Sequence, residues 1–93
     1  MAANIVITGT LTCTPGDLAM VSAALPDHIR LTRAEPGCIS FSITPSPDSP
    51  CQFDIAERFV DRAAFDSHSA RTRTSDWWQQ TSRIPRDIEV TEE

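Results

Sequence analysis

Seven prolines cut this 93-residue chain into short segments, and the hydrophobic period changes from one segment to the next. From Asn4 to Cys13 the run is β-branched and alternates, with Ile5, Ile7, Gly9 and Leu11 on one side and Val6, Thr8, Thr10 and Thr12 on the other, the period of a strand. Thr14-Pro15-Gly16-Asp17 then reads as a helix start: a cap residue, proline at the first helical position and an acid three residues on. Leu18, Val21, Leu25, Ile29 and Thr32 recur every three or four positions and form one apolar helical stripe. Pro26 lies inside it, and its missing donor and crowded ring predict a kink or break near Ala24. Glu35-Pro36-Gly37 ends the helix, because the residue before proline is driven out of helical geometry.

Beyond that stop the period returns to two. Cys38 to Thr44 sets Ile39, Phe41 and Ile43 against Ser40, Ser42 and Thr44. The turn PSPDSP follows, and Gln52 to Val60 alternates again, with Phe53, Ile55, Glu57 and Phe59 on one face, so the two strands predict a hairpin. Asp61 suits the cap of a short helix carrying Ala64, Phe65 and His68, and a second helical stretch starts near Ser75 with Trp77, Trp78 and Thr81. Pro85 stops it, and Arg86 to Thr91, with Ile88 and Val90 on one face, reads as a last strand. The order β-α-β-β-α-(α)-β is that of an α+β chain of the ferredoxin-like split βαβ type: a four-stranded antiparallel sheet with helices on one face, in a single domain over 1–93. The other face bears Thr8, Thr10, Ser40, Ser42 and Ala56 and has no helix to cover it, which predicts a second sheet from a homodimer partner.

Charge narrows the function. A net charge of −5 argues against nucleic acid as a partner, which would call for a basic face. All eight basic residues are arginine and there is no tyrosine, so a Schiff-base lysine, a P-loop lysine and a tyrosine acid are absent. Cys13, Cys38 and Cys51 lack metal-ligand spacing and a neighbouring base, and reduced thiols are expected. MAANIVITGTLT has neither a basic start nor a long apolar run, so no membrane association and a cytoplasmic location are the expectation.

Among polar residues, His68 follows Phe65 and Ala64 by about one helical turn and so faces the sheet with them. A neutral imidazole there suits a base acting on a phenol near pH 7; it equally suits a helix-end histidine bonded to a backbone carbonyl. Glu57 sits between Ile55 and Phe59 on an apolar strand face and needs a partner, either His68 or Arg30 or Arg33 from the first helix. Trp77 and Trp78 diverge by about 100°, so one indole is expected in the core and the other on a pocket wall or interface. Arg71 and Arg73 read as a solvated pair or as a gate for an anionic substrate, and His28 as a solvent-facing or capping residue near Pro26.

The stretch AEPGCISFSI, the proline-rich turn and FDIAERFVDRAAFDSH together resemble the antibiotic biosynthesis monooxygenase domain family. The shared pattern occupies Glu35 to Gly37, Cys38, Glu57, Phe59, Asp61, Ala64, Phe65 and His68. The resemblance implies a dimeric α+β barrel with a pocket between sheet and helices in each protomer. Gly9, His68 and Trp78 stand where haem-degrading relatives are expected to carry Asn, Trp and the iron-binding His, so haem breakdown is not implied. Ile55 and Phe59 replace the Asn and Trp of the anthrone oxygenase branch. With no flavin, haem or metal motif visible, the expectation is a cofactor-independent monooxygenase acting with O2 on an electron-rich aromatic, a quinol or polyketide-like phenol. His68 is the expected base and Glu57 its orienter, with Ile55, Phe59, Phe65, Phe41 and Trp78 as substrate-binding walls. The alternative is a dimeric small-molecule binding protein without turnover.

Overall fold

The computed structural model describes residues 3–93. Four strands, β1 (Ile5–Thr12), β2 (Cys38–Pro45), β3 (Gln52–Phe59) and β4 (Arg86–Glu92), form one sheet in the order β2-β3-β1-β4. Every neighbouring pair is antiparallel. Helices α1 (Leu18–Arg33), α2 (Arg62–Thr72) and α3 (Asp76–Thr81) complete the α+β ferredoxin-like arrangement. Ile5, Ile7 and Leu11 of β1 and Phe53, Ile55 and Phe59 of β3 point into the core, as their alternation predicts. No helix among the described residues is long and apolar enough to cross a membrane.

Local chemistry sets the boundaries. A 3-10 turn at Pro15–Asp17 precedes α1. There the Thr14 hydroxyl donates to the Asp17 carboxylate, 3.1 Å, instead of capping a backbone N–H. Asp61 accepts from the Ala64 N–H at 2.8 Å and starts α2, and Ser75 accepts from the Trp78 N–H at 3.2 Å and starts α3. Two glycines permit close approach: a Cβ at Gly9 would collide with the Asp87 carbonyl of β4, and one at Gly37 with the Ala64 side chain of α2.

Three expectations are corrected. α1 runs unbroken through Pro26, which lies on its exposed face, where water can satisfy the carbonyl left without a donor. A bulge between Cys38 and Ser40 turns Ile39 outward, to 48% exposure, while Phe41 and Ile43 stay buried. His28 is a core residue at 4% exposure: the buried stripe of α1 is Val21, Leu25, His28 and Thr32, with Leu18 and Ile29 only packed against the edge of the core.

Candidate functional site

A cavity of about 250 Å³ lies between the inner sheet face and the helices. Ile55 and Glu57 of β3 border it, with Phe65 and His68 of α2 and Trp78 of α3 opposite. Phe41 and Phe59 stand behind these walls, packed on the imidazole of His68 with ring centres 5.7 and 4.9 Å from it. Both indoles border the cavity, one from the core and one from the wall. Buried Trp77 supplies its floor and half-buried Trp78 its rim.

His68 is held firmly from one ring edge. Its Nδ1 lies 2.9 Å from the Glu35 carboxylate, and that carboxylate is gripped in turn by the Arg71 guanidinium. Arg71 also donates to the Thr32 hydroxyl at 3.0 Å. A carboxylate can only accept, so Nδ1 carries the proton and Nε2 presents its lone pair. On the Nε2 side stand the Thr72 hydroxyl at 3.5 Å, at the limit of hydrogen bonding, and Glu57 Oε1 at 3.7 Å, beyond it. Nε2 is therefore weakly engaged and borders the cavity.

The electrostatics keep this site close to neutral. Burial lowers the basicity of His68, with Glu35 opposing that shift and Arg71 reinforcing it. Burial, and then the Glu35 carboxylate, push the Glu57 carboxyl up to about 7. The close approach of Glu57 and His68 is thus a contact between two groups each driven toward its uncharged form, not an ion pair. Neither arginine pairing anticipated for Glu57 is formed. Arg33 donates to the Phe41 carbonyl at 2.9 and 3.0 Å, and Arg30 lies 3.5 Å from Asp27.

Three participants escape a reading of the sequence by itself. Glu35 lies 33 positions from His68, in a segment whose visible role is to end α1. Arg71, anticipated as part of a solvated pair, is half-buried on Glu35, whereas Arg73 is exposed at the cavity edge. Arg86 donates to the Thr81 and Ile84 carbonyls at 2.8 and 2.9 Å and lies over the Trp78 ring at 5.1 Å, fixing a cation beside the cavity. His28 was legible, since positions 21, 25, 28 and 32 keep a stricter helical spacing than a stripe through Ile29.

Residues 4–80 match the model of a family described as antibiotic biosynthesis monooxygenase. Solved structures share the fold. A candidate antibiotic biosynthesis monooxygenase from Nitrosomonas europaea superposes with TM-score 0.87 at 18% identity, covering 100% of this chain and 92% of that one. A Shewanella oneidensis protein gives TM-score 0.79 at 28% identity, with 100% and 93% covered. A second candidate monooxygenase of this kind, from Bacteroides thetaiotaomicron, gives 0.81 at 24% identity, with 98% and 88% covered. No curated protein matches the sequence.

Proposed function

Because this chain belongs to the antibiotic biosynthesis monooxygenase family, we propose that it is a cofactor-independent monooxygenase of electron-rich aromatics, a quinol or a polyketide-like phenol, and that it works as a homodimer. The observation that carries the reading is the His68 imidazole, with Nδ1 bonded to Glu35 and Nε2 bordering an apolar cavity without a strong partner. Nε2 takes the phenolic proton, and the imidazolium so formed is stabilised by Glu35 across the 2.9 Å contact. The phenolate charge is stabilised by the fixed cation of Arg86 at the wall of a mostly apolar cavity.

The deprotonated ring is the reductant. It transfers electrons to O2, a carbon–oxygen bond forms at a ring C–H, and the resulting hydroperoxide loses water to leave a carbonyl. One oxygen atom enters the substrate and the other leaves as water together with the C–H and phenolic hydrogens. O2 gains four electrons and the ring loses four. Glu57, whose carboxyl titrates near neutrality beside Nε2, supplies the proton to the departing hydroxide and recovers it from His68.

The helix-free sheet face supports the dimer. Thr8, Thr10, Ser40, Ser42 and Ala56 alternate with core residues there, and Ser42 and Ala56 are paired across β2 and β3. An oxygen electrode with a panel of quinols tests the activity: one O2 consumed per quinol, with water and an oxygenated quinone formed, is expected. Ligand binding without oxygen consumption would instead favour a binding protein without turnover.

A further inference from the structure

α1 brings a second imidazole to the same cavity. His28 is 4% exposed, and its Nδ1 is buried with no hydrogen-bond partner in the protein. Trp77 lies flat on the ring at 4.9 Å and 7°, and Phe41 meets it edge-to-face at 5.3 Å and 82°. The His68 ring centre is 6.1 Å away. If this position served only to fill space between Trp77 and Phe41, phenylalanine would give the same stack and avoid an unsatisfied buried nitrogen, which costs about 1–3 kcal/mol. Burial, then the charges of His68, Arg71 and Arg86, hold its pKa near 3, so the ring stays neutral. A neutral imidazole offers one N–H and one lone pair.

Two neutral imidazoles therefore border one cavity at a fixed separation. We propose that His28 anchors the substrate by hydrogen bonding an oxygen adjacent to the one His68 deprotonates, so that the preferred substrates are aromatics with oxygens on neighbouring ring carbons. Ring centres 6.1 Å apart leave room for hydrogen bonds of about 2.8 Å from each imidazole to two oxygens on neighbouring ring carbons. Oxygens at para positions lie across the whole ring and point away from each other, so only one of them meets this pair. The inference rests on the cavity being the substrate site, as in the proposed function, and it names the substrate class that site takes.

The test is equilibrium binding under anaerobic conditions, followed by the absorbance of 4-nitrocatechol and of 4-nitrophenol. The wild type is expected to bind 4-nitrocatechol at least about tenfold more tightly than 4-nitrophenol, a difference of about 1.4 kcal/mol. His28→Phe should lose that preference while its melting temperature stays level or rises, because the orphan nitrogen is gone. His28→Gln, which keeps a donor and an acceptor, should retain part of the preference and provides the comparison if the phenylalanine variant does not fold. No binding by the wild type, equal binding of the two probes, or a preference that survives in His28→Phe would overturn the proposal. Oxygen plays no part in this measurement, so a wild type that shows the preference but consumes no O2 sinks the oxygenase reading alone.

Discussion

Glu57 offers a change whose sign separates the present account from an ordinary ion pair. Its carboxyl titrates near 7 in the folded protein against an ordinary 4.5, and burial is the main cause. The folded state therefore holds a proton that the unfolded chain has already released between those two values, and stability falls as the pH rises from about 4.5 to 7. At about 1.36 kcal/mol for each tenfold change in acidity, the loss reaches about 3 kcal/mol above pH 7. Glu57→Gln keeps the shape and removes the titration. It should leave stability unchanged at pH 4 and raise it by up to about 3 kcal/mol at pH 8.5, which for a chain of this size is more than about 10 °C in melting temperature. Thermal and urea unfolding of both proteins across that range measures the difference directly. A Glu57 carboxylate paired with an arginine predicts the reverse, a variant destabilised at pH 8.5, and that result would refute the reasoning.

Glu35→Gln removes the charge that supports the His68 imidazolium, so the His68 titration followed by NMR should move to lower pH and turnover should fall about tenfold or more; an unmoved titration would dismiss Glu35 as its orienter. Light scattering at micromolar concentration should give twice the 10.3 kDa of one chain, and a natively folded monomer would contradict the barrel.

The two central strands were legible because one face of each is buried, and burial imposes a period of two that β1 and β3 follow from end to end, whereas β4 is exposed along nearly its whole length. Ile39 was misread because a bulge changes the phase of the backbone without changing the alternation of residue types. Proline chemistry marked the end of α1; at its start Pro15 opens a 3-10 turn and α1 begins only at Leu18, and Pro26 causes no break because its cost depends on which face of the helix it occupies. The site was half legible. His68, Glu57, Ile55, Phe65 and Trp78 border one cavity, because local periodicity already puts them on inward faces. Glu35 and Arg71 were not, since their roles arise from a contact between the turn after α1 and the last turn of α2. The expected kink at Pro26 pointed to a solvent-facing or capping His28, although its spacing with Val21, Leu25 and Thr32 marks it as buried.

The account stands on His68 as the base that opens a phenol to dioxygen. Turnover in isotopically labelled dioxygen, with a catechol-type quinol as substrate, is the direct measurement. The wild type should place one labelled atom in the oxygenated product and one in water. His68→Ala should fold and dimerise as before yet form that product at least about 10²-fold more slowly. Labelled product at an unchanged rate from His68→Ala, or unlabelled product from the wild type, would contradict it.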